Sequence, residues 1–150
     1  MEFSSPGTPR NLDPKGRLML PPDFREALAA RGSENKVVLN CIDDCVFAYP
    51  VPRWREIKAQ LSNLLKSPND NLRGFGRKMT GNAVEVELDS QGRINIPRTH
   101  MDYAQLERKV ILLGQEERFE IWNPSRYEDV RNKKFDIAAD LAASGMDFSF

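Results

Sequence analysis

Arg17 and Arg93 each follow a glycine and stand four residues after an aspartate, in Leu12-Asp13-Pro14-Lys15-Gly16-Arg17 and Leu88-Asp89-Ser90-Gln91-Gly92-Arg93. An aspartate that opens a turn can accept hydrogen bonds from backbone N–H groups two or three residues on, which fixes the turn. A glycine three residues later can take a positive φ that a β-branched residue could not. The arginine then leaves the turn in a defined direction, and its planar guanidinium presents a rigid fork of donors suited to a phosphate or a guanine edge. The chemistry on offer is recognition of nucleic acid at two matched points. Asp-x-x-Gly is also a common turn, and the arginine after it could simply pair with the aspartate. What weighs for recognition is that both copies keep both residues.

The elements around the two turns repeat as well. After each turn come three residues with apolar ends and then a proline, Pro21 or Pro97. Further on, Lys36-Val37-Val38-Leu39 returns as Lys109-Val110-Ile111-Leu112, and Val46-Phe47-Ala48-Tyr49 as Phe119-Glu120-Ile121-Trp122. The offset falls from 76 at the turns to 73 at these runs, a gap that a connecting segment absorbs far more easily than a strand does. The chain is a duplicated unit. Each half reads as strand, turn, strand, short helix, strand, hairpin turn, strand, helix. Pro22 to Arg31 reads as a short amphipathic helix with Gly32 at its C-cap, and Arg98–Leu106 is its counterpart. Arg53–Lys66 carries Trp54, Ile57, Leu61, Leu64 and Leu65 at helical spacing. A further helix is expected from Ser67-Pro68 towards Met79, and another over residues 125–143. Val84, Val86 and Leu88 alternate with Glu85 and Glu87, the period of a half-buried strand.

This gives a mobile N-terminal arm over 1–10, a first repeat over 11–66, a connecting helix or linker over 67–83, a second repeat over 84–130, and a C-terminal helix and tail over 131–150. Four short strands bury too little to stand alone, so the two halves are expected to close one core about a pseudo-twofold axis. The fold class is α+β.

Net charge is zero, but residues 1–80 carry 13 Lys/Arg against 9 Asp/Glu while residues 81–150 carry 9 against 13. A basic face beside an acidic one is compatible with that split, so overall neutrality does not exclude nucleic acid. No apolar run approaches the ~20 residues that span a bilayer, and the N-terminus lacks the pattern of a signal peptide. A cytoplasmic location follows, with no membrane partner. Cys41 and Cys45, with one histidine in the chain, cannot supply an ordinary zinc site and read as core or hairpin thiols. No phosphate-binding glycine loop, nucleophile elbow or metal-ligand cluster is present, so neither an enzyme, a cofactor nor a small-molecule substrate is expected. Trp54, Ile57 and Leu61, and Tyr127 with Val130, read as core. His100 reads as a surface or half-buried structural residue, and Asp43-Asp44 as a solvated hairpin tip.

The paired Leu-Asp-x-x-Gly-Arg turns, the proline after each following strand, and Arg118-Phe119-Glu120-Ile121-Trp122 before a proline and a helix resemble the MraZ family. These are bacterial transcriptional regulators with two tandem SpoVT-AbrB-type domains. The resemblance covers about residues 11–130. It implies a double swapped-hairpin, AbrB-like β-barrel with peripheral helices, and a ring-shaped homo-oligomer associated with the nucleoid. It also implies binding to short direct repeats of double-stranded DNA upstream of the division and cell-wall gene cluster, usually as a repressor. The DNA-contact motif falls on Lys15, Arg17 and Arg93, with Asp13, Gly16, Asp89 and Gly92 shaping the turns. Gln91 departs from Lys15, and Ser4-Ser5-Pro6-Gly7-Thr8-Pro9 replaces the strand that usually precedes the first turn. With Lys15 beside it, Arg17 is expected to matter more than Arg93. An antitoxin-like module with a related fold, and a ring-forming scaffold without nucleic acid, are the alternatives.

Overall fold

A computed structural model describes residues 2–147. Strands β1 (Ser5–Asn11), β2 (Arg17–Met19), β3 (Lys36–Ile42) and β4 (Cys45–Tyr49) belong to the first half, with helix α1 (Pro22–Ala30) between β2 and β3. Helices α2 (Val51–Leu65) and α3 (Asp70–Gly81) lead into the second half. There β5 (Val84–Glu87), β6 (Arg93–Asn95), α4 (Arg98–Ala104), β7 (Lys109–Gln115) and β8 (Arg118–Trp122) repeat the order, before α5 (Pro124–Asn132) and α6 (Ala138–Ser144). No helix among the described residues is long and apolar enough to cross a membrane.

The pairing exchanges strands between halves. One antiparallel sheet has the order β1-β7-β8-β4-β3-β5, and β2 pairs with β6 in a separate two-stranded ribbon. So β1 of the first half lies on β7 of the second, and β5 lies on β3. The registers correspond: Asn11 faces Lys109 as Glu87 faces Lys36, and Thr8 faces Leu112 as Val84 faces Leu39. The chain is α+β, and its sheet is open, with β1 and β5 as edges, rather than one hydrogen-bonded closed barrel.

Both faces of the sheet are covered, which explains why β3 and β7 read as nearly continuous apolar runs. Val37, Leu39, Val46, Val110, Leu112, Phe119 and Ile121 face a core completed by Leu18, Ile94, Phe24 and Leu28 from the ribbon and α1. Their alternates Val38, Phe47, Tyr49 and Trp122 face Val51, Trp54 and Leu61 of α2. The β3–β4 turn places Asp43 at φ 53° and Asp44 at φ 66°, the two-residue turn that matches strand twist. Cys41 and Cys45 are buried free thiols, and burial raises both pKa values.

Several expectations need correction. The N-terminal arm is not loose: Ser5–Asn11 is an edge strand and Phe3 is fully buried between Phe24 and Phe119. Pro6 and Pro9 are tolerated because an edge strand has N–H positions that need no partner, and the register slips between Ser5 and Thr8. A side chain at Gly114 would collide with the Phe3 carbonyl, so β7 is notched to admit the arm. Helix α3 is capped by Asn69, whose side chain accepts from Leu72 N–H at 3.1 Å, and not by Ser67. The helix expected over 125–143 is broken at 133–137 into α5 and α6, and Val130 is exposed while Tyr127 packs on Trp122. His100 is buried, with Nε2 2.8 Å from the Asn82 carbonyl, which joins α4 to the end of α3. Of the C-terminal tail, 148–150 lie outside the described residues.

Candidate nucleic-acid interface

Each motif folds into the same closed loop. In the first, Asp13 Oδ1 accepts from the backbone N–H groups of Lys15 and Arg17, both at 2.9 Å. Asp13 Oδ2 accepts from Arg17 Nε at 2.6 Å. The backbone closes with Asp13 N–H to Arg17 O and Gly16 N–H to Asp13 O, both 3.0 Å. In the second, Asp89 Oδ1 accepts from Gln91 and Arg93 N–H at 2.9 and 3.0 Å, and Oδ2 from Arg93 Nε at 2.7 Å. Gly16 and Gly92 sit at φ 77° and 82°, where other residues are strained. Backbone N–H donation, from Arg17 and from Arg93 above all, lowers both carboxyl pKa values, that of Asp89 to about 2. Both turns are therefore charged and locked at any physiological pH.

Pairing with the aspartate leaves each arginine free to present the rest of its guanidinium. Each guanidinium is oriented through Nε by its own aspartate, while its side chain stays partly exposed, 29% for Arg17 and 23% for Arg93. Neither Arg17 Nη nitrogen has a hydrogen-bond partner among the described residues. An arginine pinned at Nε and open at its tip is a pre-aimed donor.

Ribbon pairing then sets the turns side by side. Arg17 faces Asn95, and Met19 faces Arg93, across β2 and β6. Arg93 Nη1 lies 3.9 Å from Asp13 Oδ2, so the guanidinium of one turn reaches the carboxylate of the other. The two motifs form one patch, with Lys15 exposed at its edge. An open groove of about 1180 Å³ runs beside the first turn, with Lys15, Arg98 and Arg108 among its lining residues.

Comparison with known proteins places most of this chain in one family. The family model described as "MraZ protein, putative antitoxin-like" matches residues 5–77 and 79–144. The chain belongs to the MraZ family. It is 50% identical over 141 residues to the transcriptional regulator MraZ of Nitratidesulfovibrio vulgaris (strain Miyazaki F), covering 93% of this chain and 94% of that protein. To the proteins of the same name from Oleidesulfovibrio alaskensis and Lactiplantibacillus plantarum it is 43% and 39% identical, covering 93% and 91% of this chain and 93% and 94% of theirs. The MraZ match takes in β1, the strand that the prolines at 6 and 9 obscure in the sequence.

Within this MraZ chain all seven predicted motif residues lie in the two turns, and the two turns meet. Sequence reasoning missed which helix serves which turn. Leu20 N–H donates to Gly92 O at 3.0 Å and Ile96 N–H to Gly16 O at 3.1 Å. These bonds seat the start of α1 on the second turn and that of α4 on the first. Arg25 of α1 therefore lies at Gly92, and Met101 of α4 at Gly16. The 76-residue offset that relates the turns also relates Arg25 to Met101, and that was the signal available.

Proposed function

We propose that this chain is a DNA-binding transcriptional regulator that grips its operator through the paired turns, with Lys15, Arg17 and Arg93 as contacts and Asp13, Gly16, Asp89 and Gly92 as the frame. The observation that carries this is the pair of arginines, each fixed at Nε by its own aspartate and presented on one ribbon. Tips so aimed suit phosphate oxygens or base edges, and the turns are too short to fold around a small molecule. The two repeats, 11–66 and 84–130 joined by 67–83, make an AbrB-like swapped-hairpin module, with the ribbon capping the sheet as the side of a barrel would.

One subunit of zero net charge offers few cations, and each phosphate contact contributes only about 0.9 to the salt slope of log K. Assembly solves this. In a ring homo-oligomer, successive turns engage successive short direct repeats of double-stranded DNA, and avidity of ~10²–10⁴-fold needs no new kind of contact. The repeats lie upstream of the chain's own gene, at the head of the division and cell-wall cluster. Bound there, in the nucleoid, the protein acts as a repressor. Footprinting on that upstream region, with gel shifts at ~0.15 M salt against scrambled DNA, tests the proposal. Protection over short direct repeats is expected, and equal binding to scrambled DNA overturns it.

The antitoxin-like wording of the family description favours a second reading, in which residues 135–147, exposed apart from Leu141, wrap a toxin. A toxin reading frame beside the gene, and co-purification of its product, would support it.

A further inference from the structure

We infer that Arg25 is the second phosphate-contacting cation of the second turn, doing there what Lys15 does at the first. This rests on the DNA-binding reading above. A Cβ added to Gly92 would stand 2.8 Å from both Cδ and Nη1 of Arg25, and 3.1 Å from its Cζ. The guanidinium thus lies against the backbone of the turn that carries Arg93. Arg25 is nonetheless exposed, and no ion pair holds it among the described residues.

The equivalent position shows that covering the glycine does not call for a charge. Met101 covers Gly16, its sulfur 3.1 Å from the place of a Cβ, with a neutral thioether. A guanidinium at Gly92 therefore adds something that packing does not require. Motif chemistry shows what is missing there: the first turn carries Lys15 and the second Gln91 at the same place. Leaving aside Arg98 and Arg108 in the groove beside the first turn, each turn carries its own arginine and one further cation set directly against it. That cation comes from the turn itself in the first case and from the exchanged helix in the second. Position differs while charge is kept, as expected if each turn must face the same polyanion.

The test is a salt titration of binding to the chain's own upstream DNA, using wild type, Arg25→Met, Arg25→Lys and Met101→Arg. Arg25→Met should weaken binding about tenfold at ~0.15 M salt and lower the salt slope by about 0.9 for each engaged subunit. Arg25→Lys should keep the slope. Met101→Arg should tighten binding and raise the slope, because it sets a further cation against the first turn. If wild type binds its upstream DNA specifically but Arg25→Met keeps affinity and slope, the role of Arg25 is overturned and the DNA-binding reading stands. If wild type shows no preference over scrambled DNA, the DNA-binding reading itself falls. Should Arg25→Met melt early, Met101→Arg carries the test: a steeper slope supports the contact, and an unchanged one overturns it.

Discussion

The two halves of this chain share turn geometry and most of their strand register, yet differ at several places where one of them meets charge or solvent. Edge strand β1 has prolines, a register slip and the buried anchor Phe3, while edge strand β5 is Val-Glu-Val-Glu entered directly from α3. At the centre of the sheet Phe47 of β4 faces Glu120 of β8, equivalent positions occupied by a ring and a carboxylate. The turns differ by Lys15 against Gln91 and by Met101 against Arg25. Backbone geometry was kept where strands and turns must interlock, and side chains diverged where only chemistry was at stake. The difference also shows that a half is not a functional unit, because α1 of one serves the turn of the other.

The largest expected effect tests whether the two edges are equivalent. Phe3 is fully buried against Phe24 and Phe119, with ring centroids at 5.4 Å in both pairs. Phe3→Ala should cost about 4 kcal/mol, in the range for aromatic truncation in a core. Urea unfolding would measure it. A loss under about 1 kcal/mol would mean that the N-terminal arm is as dispensable as its prolines make it look.

Next comes the centre of the sheet. Glu120 is 5% exposed, accepts from Trp122 Nε1 at 2.9 Å, and pairs with Arg118 at 2.8 Å, whose guanidinium stacks on Phe47 at 4.2 Å. Removing the carboxylate strands an indole N–H and a guanidinium, so Glu120→Ala should destabilise by about 3 kcal/mol. Phe47→Ala should be similarly costly through lost packing. A neutral Glu120→Ala in the same urea assay would show that the carboxylate side of the pair is ornamental.

How much of this was legible follows from the range over which each feature is determined. The Asp-x-x-Gly-Arg turns close within five residues, so their geometry is written locally and all seven motif residues lie in them. Strands β3, β4, β7 and β8 announce themselves as β-branched and aromatic runs. Edge strand β1 was hidden because prolines argue locally against a strand, and the notch at Gly114 that admits Phe3 is over 100 residues away. His100 reads locally as a surface or half-buried residue, because its acceptor, the Asn82 carbonyl, lies in another element. Arg25 was overlooked because the exchange that lays α1 on the second turn is a long-range pairing with no local mark. Laying the halves over one another would have exposed it, since Arg25/Met101 and Lys15/Gln91 are two charge mismatches of opposite sense.

That pair of mismatches changes the ranking of the arginines. Lys15 alone makes Arg17 the stronger contact; with Arg25 on the second turn the two become comparable. Arg17→Ala and Arg93→Ala are each expected to cost about 1–3 kcal/mol in binding, within about threefold of one another in gel-shift titration. A tenfold larger loss for Arg17→Ala would restore the ranking from Lys15 alone and remove Arg25 from the interface.

The smallest effect asks whether the two carboxylates remain twins. Asp89 titrates at about 2 in the folded chain, against an ordinary value of 3.8, chiefly because Arg93 N–H donates to it. Asp13 is lowered by the same kind of bond from Arg17. A depressed folded pKa contributes stability that is present above the ordinary value and lost as pH falls through the folded one. The urea midpoint of wild type should therefore drop between pH 4 and pH 2, and both Asp89→Asn and Asp13→Asn should flatten that drop without altering its sign. Asparagine keeps an oxygen for the turn N–H groups but loses the charge that fixes the guanidinium. Binding at neutral pH should thus weaken in each variant while the turn stays folded. A response from only one aspartate would mean that the 3.9 Å approach of Arg93 to Asp13 has made one carboxylate serve both turns.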